Sequence, residues 1–171
     1  MGTVLFLTLR VVHVLLAAIW VGATVFTSML LMPVVEAAGP VGGQVMMNLE
    51  KKGMTAFFAS IGGTAVLTGF YLYWHSTGGF DPEISRSHAG MAFGIGGVAG
   101  LVALIIGGAV MGRASKRMLA VMGQMASASE AQKGALLQEA NTLRGKMKSF
   151  GRIVLLLQVV ALVLMALGHY I

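Results

Sequence analysis

The sequence has 171 residues, a length that suits a single domain, and a net charge of +6. Hydrophobic residues make up 57% of it and charged residues only 11%, whereas a soluble domain carries about 25% charged residues, so lipid must be the solvent for much of the chain. The lack of cysteine excludes disulfides, thiolate metal sites, iron–sulfur clusters and covalently attached c-type haem, and leaves histidine, methionine and carboxylate as candidate ligands.

Four segments are long and apolar enough to cross a bilayer as helices, which takes about 20 apolar residues each. They run from about residue 3 to 32, from 54 to 75, from 88 to 111 and from 152 to 171. The first has no basic residues before its apolar run, so we expect a retained helix that ends at Pro33 rather than a cleaved signal peptide. The predicted fold is an all-α transmembrane four-helix bundle, with residues 1–171 forming one integral membrane domain.

The stretch between the third and fourth spans, residues 113–149, is too polar to insert into lipid. We expect a cytoplasmic helical hairpin here, in which residues 113–126 continue the third helix and residues 129–149 lead into the fourth. Ser127 and Glu130 have the spacing of a capping box, which predicts that the second arm of the hairpin starts there.

Methionines recur on one face of the first arm of this hairpin. They are Met111, Met118, Met122 and Met125. Because methionine commonly fills gaps between helices, we interpret this face as packing against the second arm, and a copper site built from these residues is the less favoured alternative.

Basic residues are distributed unevenly between the two sides of the membrane. The loops after the first and third spans contain Lys51, Lys52, Arg113, Lys116, Arg117, Lys133, Arg144, Lys146, Lys148 and Arg152, whereas the opposite side has only Arg10 and Arg86. Because lysine and arginine stay preferentially in the cytoplasm, we predict a multi-pass membrane protein with both termini outside, which in a bacterium means the periplasm. This topology accounts for the net charge, and no nucleic-acid partner is expected.

The polar side chains of the first span share one helical face. The residues at helical spacing along it are Thr3, Phe6, Arg10, His13, Ala17, Trp20, Thr24 and Thr27. Ionisable groups inside a membrane normally face the bundle interior or a cavity, and they suggest function. His13 is therefore the strongest candidate site residue, with Arg10 one turn outward on the same face.

Each of the other three spans carries one histidine near its outer end. These histidines are His75, His88 and His169. His13 lies twenty residues outward from Pro33, near the outer edge of the hydrocarbon, so we predict that all four histidines lie at one level and gather at the outer edge of the bundle. Each of the other three has an alternative role without a ligand. His75 would be an interfacial residue, His88 a helix cap or surface residue, and His169 part of a frayed C-terminus.

Four imidazoles at one level point to a haem or metal site. Two facing histidines of a helical bundle would hold a b-type haem, Arg10 would pair with a propionate, and Trp20 would wall the macrocycle. Copper is the alternative, with Met91 and Met165 added to the histidines as soft ligands. These residues leave two questions open. They do not identify the histidine that pairs with His13, and they do not distinguish haem from copper.

The stretch from Arg10 to Phe26, followed by Pro33, resembles the first helix of the CopD-like family (copper-resistance protein D and related small membrane proteins). The shared pattern is a histidine, then Trp-x-Gly, then a phenylalanine, ending in a proline. HemJ-type four-helix haem proteins are similar in the same helix, and the histidine that is associated with haem there maps to His13. The resemblance implies copper handling or haem binding in a bacterial inner membrane.

The leading hypothesis is a membrane haem b protein that transfers electrons near the periplasmic face, with a periplasmic or quinone redox partner; as an enzyme it would be an oxidoreductase. The alternatives are a CopD-type copper-binding or transport protein and a non-catalytic subunit of a membrane complex. The glycine-rich third span would supply the packing surface for a complex or a homo-oligomer. Its small-xxx-small pairs are Gly90 and Gly94, Gly96 and Gly100, and Gly108 and Gly112.

Overall fold

The computed structural model describes residues 2–125 and 127–171, and these residues form helices and turns with no β-strand. The helices are α1 (Gly2–Phe26), α2 (Met32–Ala37), α3 (Gly39–Lys51), α4 (Met54–Ser76), α5 (Pro82–Ser85), α6 (His88–Ile105), α7 (Gly112–Met125) and α8 (Glu130–Leu167). Two π-helical segments, Thr27–Leu31 and Ile106–Met111, join α1 to α2 and α6 to α7. The predicted all-α fold is confirmed.

In the described part of the chain, four continuous helical rods are long and apolar enough to cross a membrane, judged by length and composition. They are Gly2–Ala37, Met54–Ser76, His88–Met125 and Glu130–Leu167. Large aliphatic side chains point away from the bundle, and Leu67 and Leu156 are 73% and 65% exposed. So much outward apolar surface is suited to lipid rather than to water, and the chain is a multi-pass membrane protein.

Neighbouring rods run antiparallel, so the two termini lie at the same end of the bundle. At this end, Phe6 contacts the ring of His75 with 4.8 Å between ring centroids, and Phe93 contacts the ring of His169 at 5.1 Å. We call it the terminal face. The opposite end, where α2, α3, α7 and the part of α8 before residue 150 lie, is called the basic face because most lysines and arginines are there.

The first rod continues through Pro33 to Ala37, so the predicted end at this proline is wrong. Proline lacks an N–H, and its ring clashes with the carbonyl four residues earlier, which belongs to Met29. Met29 lies in the π-helical segment Thr27–Leu31, whose wider turn accommodates the ring. Pro33 itself then occupies the first turn of α2, where a missing N–H is tolerated.

The two arms on the basic face form a helical hairpin that is continuous with the third and fourth spans. The first arm is α7, which ends at Met125, and the predicted continuation to residue 126 falls outside the described residues. The second arm is not a separate helix, because α8 runs unbroken through the fourth span. Met118 and Met122 of α7 and Met147 of α8 line a cavity of about 140 Å³ together with α2 and α3, and Met122 packs over Gly43 of α3, where a Cβ would lie 2.6 Å from its methyl carbon.

The second arm begins with a capping box that differs from the predicted one. The backbone N–H of Ser129 donates to the side-chain oxygen of Gln132 at 3.1 Å. Ser127 belongs instead to the turn after α7, where its N–H donates to the Gln124 carbonyl. The predicted box of Ser127 and Glu130 is therefore wrong by two residues, because the chain turns once more before the helix starts.

The core lies halfway along the bundle and consists of aliphatic side chains around Trp20. The buried residues that form it are Trp20, Ile61, Ala65, Ala103 and Val154. Gly62 of α4 permits the close approach of α1, since a Cβ there would lie 2.8 Å from the indole ring of Trp20. This contact aligns position 20 of α1 with position 62 of α4 and thereby places His13 one to two turns further toward the terminal face.

Candidate functional site

His13 lies on the face of α1 that packs against α4. Its Nδ1 is 2.8 Å from the backbone carbonyl oxygen of Ala65. Gly69, one turn further along α4, leaves space for the ring, because a Cβ there would lie 2.8 Å from the imidazole Cε1. The hydroxyl of Thr68 donates to carbonyl oxygens of its own helix and lies 3.4 Å from Nδ1. Helix α4 therefore holds the imidazole in one orientation.

The hydrogen bond from His13 determines which of its ring nitrogens can bind a ligand. A carbonyl oxygen only accepts, so Nδ1 carries a proton, and in the neutral imidazole Nε2 is then the nitrogen with the lone pair. Metal-binding histidines in proteins usually donate their other ring N–H to a carbonyl or carboxylate in this way, which sets both the tautomer and the ring orientation. His13 is half-buried, and its hydrogen bonds in the described part of the chain involve Nδ1 only.

Arg10 lies one turn outward from His13 and reaches the end of α8. Its Nη2 donates to Nε2 of His169 at 2.8 Å. A guanidinium group has no acceptor, so His169 must accept through the Nε2 lone pair. Phe93 packs edge-on against the same imidazole, with 5.1 Å between the ring centroids. The structure thus brings the predicted site residues Arg10 and His169 into direct contact, and His13 lies one turn from Arg10.

His75 and His88 are exposed residues at helix ends on the terminal face. His75 packs against Phe6, and its ring centroid lies 6.1 Å from that of Tyr71. His88 is the first residue of α6, and the helix is capped by the preceding serine, whose hydroxyl accepts from the N–H of Gly90 at 3.0 Å. His88 is therefore not a cap.

The four histidines do not all lie at one depth, because His13 is deeper in the bundle than His75. His13 contacts Ala65 and Gly69, which precede His75 by ten and six residues, or about 15 and 9 Å along the helix axis. Counting from Pro33 placed His13 too far outward, because such a count measures distance along α1 only and does not show where α1 packs along α4. Within residues 2–125 and 127–171, no group of three or more His, Cys, Asp or Glu side chains could hold a metal ion. The contacts instead bring two of the four histidines close to Arg10. His169 accepts its hydrogen bond, and His13 lies one turn away on the same helix.

The other predicted site residues have separate surroundings. Trp20 belongs to the core, deeper than His13, and is only 7% exposed. Met91 is 45% exposed on α6. The methyl group of Met165 packs over Gly96, five residues further along α6 than Met91, where a Cβ would lie 3.2 Å away.

Gln158 is a polar residue that sequence reasoning did not include among the site residues. It lies in the membrane-spanning part of α8 and is 2% exposed. Neither its side-chain nitrogen nor its oxygen has a hydrogen-bond partner in the described part of the chain. A buried amide without a partner costs free energy. The signal that the sequence offered was a single glutamine within an otherwise apolar span.

Glu50 is a second residue that sequence reasoning missed, and its role is structural. Its carboxylate accepts from the N–H of Thr55 at 3.2 Å, from the hydroxyl of the same threonine, and from the hydroxyl of Ser115 at 2.5 Å. These contacts tie the end of α3 to α4 and α7 on the basic face. The half-buried charge is stabilised by three donors of its own chain.

Comparisons with family models, with curated proteins and with solved structures find no match for this chain. The likeness of the first helix to CopD-like and HemJ-type proteins therefore stays a prediction. Function has to be inferred from the geometry around His13, Arg10 and His169.

Proposed function

We propose that this protein binds one haem b near the terminal face, with His13 as an axial ligand, and that it transfers electrons there. The observation that carries the proposal is the 2.8 Å hydrogen bond from His13 Nδ1 to the carbonyl oxygen of Ala65. It leaves Nε2 with a lone pair on an oriented ring, which is the form of histidine that ligates iron. Bound haem would supply one-electron chemistry at its iron, tuned by the axial ligands.

His169 is the favoured second ligand because it lies beside Arg10, one turn from His13. Its Nε2 lone pair accepts from Arg10, but a carboxylate is a stronger acceptor for a guanidinium group than a neutral imidazole. In the presence of a propionate, Arg10 would turn to that group and release His169 Nε2. His169 follows Gly168, the C-cap of α8, so its ring can reorient with little change in the bundle.

The charge at the terminal face supports haem over copper at this site. Arg10 is exposed at the level where the anionic propionates of a haem would emerge, and a copper ion would be repelled by the same cation. The first-helix resemblance is compatible with either cofactor. Copper binding or transport at the same imidazole is therefore the alternative, and a structural subunit without a cofactor is the second one.

The distribution of basic residues supports an orientation with the terminal face outside the cell, which is the periplasm if the protein lies in the bacterial inner membrane that the first-helix resemblance implies. A periplasmic electron carrier or a membrane quinone would then be the redox partner. Such an activity would make the protein an oxidoreductase or its electron-transfer component. Labelling of residues on the terminal face from outside intact cells would test this orientation.

Absorption spectra of the protein purified in detergent test the cofactor. We expect a Soret band and a sharp α-band after reduction with dithionite. His13→Ala should lose the haem, and His169→Ala should change the spectrum, whereas the matched control His88→Ala should keep the wild-type spectrum. A colourless preparation that contains copper, or a haem spectrum that is unchanged in His13→Ala, would overturn the proposal.

A further inference from the structure

A basic pocket of about 230 Å³ lies on the basic face between α7 and α8. Its lining includes Ala109, Val110, Arg113, Arg117, Leu143 and Lys146. The two arginines come from α7 and the lysine from α8, so three cations from two helices converge on one concave surface. Convergence of this kind is more specific than the general excess of positive charge on this face.

The basic pocket straddles the boundary between the apolar and polar parts of the rods. Its apolar wall belongs to the π-helical segment Ile106–Met111, which completes the third span, whereas Arg113 and Arg117 lie in the first turns of α7. Ile105 and Ile153 are 55% and 43% exposed, as expected of side chains that face lipid. A molecule in this pocket would have its polar group among the cations and its apolar part beside the membrane-facing helices.

The protein neutralises only part of the positive charge of the basic pocket. Arg117 forms a two-pronged ion pair with Glu139, with nitrogen-to-oxygen distances of 2.5 and 2.9 Å. The hydrogen bond from Arg117, aided by its charge, lowers the pKa of Glu139, so this carboxyl is ionised at neutral pH. None of the three ion pairs formed by the described residues involves Arg113 or Lys146.

We propose that the basic pocket binds the headgroup of an anionic phospholipid such as phosphatidylglycerol. Arg113 and Lys146 would contact the phosphate oxygens from two helices, and the acyl chains would lie against the apolar rods. Cations close to a bilayer surface attract anionic headgroups, and a pocket between helices makes that attraction specific. A bound lipid would hold α7 against α8 where the two arms leave the membrane.

Native mass spectrometry of the full chain in a neutral detergent tests the proposal. The protein is titrated with short-chain phosphatidylglycerol, with phosphatidylcholine and with inorganic phosphate. We expect one tightly bound phosphatidylglycerol per chain. The double variant R113Q/K146Q should weaken its binding roughly 30-fold, which corresponds to about fivefold for each cation removed. The matched control K51Q/K52Q removes the same charge from the end of α3, outside the basic pocket, and should keep the wild-type affinity.

The thermal unfolding midpoint provides a second measurement of the same binding. Phosphatidylglycerol should raise the midpoint of the wild type and of K51Q/K52Q but not that of R113Q/K146Q. Equal weakening in both double variants would indicate diffuse surface attraction and overturn the proposal. Equal binding of phosphatidylcholine would also overturn it. Displacement of the lipid by inorganic phosphate would assign the pocket to a free anion instead.

Discussion

The close contact between His13 and α4 makes the proposed site open to a sharp test. Gly69→Ala would place a Cβ 2.8 Å from Cε1 and 3.2 Å from Nδ1 of the imidazole. The ring would have to move by about 0.6 Å to restore even a tight contact of 3.4 Å. Its 2.8 Å hydrogen bond to Ala65 would lengthen or bend with that movement, and binding groups generally need placement within about 0.5 Å.

Two effects of this substitution can be separated by measurement. Loss of a hydrogen bond that orients a ligating histidine typically costs about 10–100-fold in affinity, and we expect Gly69→Ala to lose haem affinity by this factor. Overpacking alone should cost about 1–3 kcal/mol of stability. Haem titration in detergent, followed by Soret absorbance, measures the first effect, and thermal unfolding measures the second.

Gly63→Ala is the matched control for this experiment. It makes the same chemical change on α4 at a position where a Cβ meets nothing within 4 Å, so haem affinity should match the wild type. The reasoning is refuted if Gly69→Ala binds haem as tightly as the wild type with the same reduced spectrum. It is equally refuted if Gly63→Ala loses as much affinity as Gly69→Ala.

Three further substitutions test packing and electrostatics elsewhere. Gln158→Leu removes a buried amide without a partner and should stabilise the bundle by roughly 1–3 kcal/mol; a lower melting temperature would show that the amide is satisfied in the folded protein. Gly62→Ala places a Cβ 2.8 Å from the indole of Trp20 and should destabilise the core by about 1–3 kcal/mol, with a shift in tryptophan fluorescence; unchanged melting and fluorescence would contradict that close contact. The hydrogen bond from Arg117 lowers the pKa of Glu139 below its ordinary value of 4.5, so this pair stabilises the arms above that pH and is lost as the pH falls through the lowered pKa. The melting temperature of the wild type should therefore fall more than that of Glu139→Gln on acidification, and parallel curves would count against the ion pair.

Part of the candidate site could be predicted from the sequence, because it depends only on the geometry of a single helix. Helical spacing alone placed Arg10 and His13 on one face of the first span, and α4 and α8 contact that face in the structure. The predicted common level of the four histidines was wrong for His13, because a residue count along the first helix does not show how that helix is placed along α4. The contact between Trp20 and Gly62 decides this placement, and no hydropathy pattern reveals it.

The sequence by itself determined that much of this protein lies in lipid and that it is helical. Long apolar runs with few charges require lipid, and in lipid a chain must satisfy its backbone hydrogen bonds within helices. Only the tertiary structure decided the relative heights of those helices. Trp20 fits the space left by Gly62, and this contact sets the position of α1 along α4, so His13 meets Ala65 while His75 meets Phe6. This register depends on residues far apart in the chain, and the sequence around either residue does not indicate which residue it will contact.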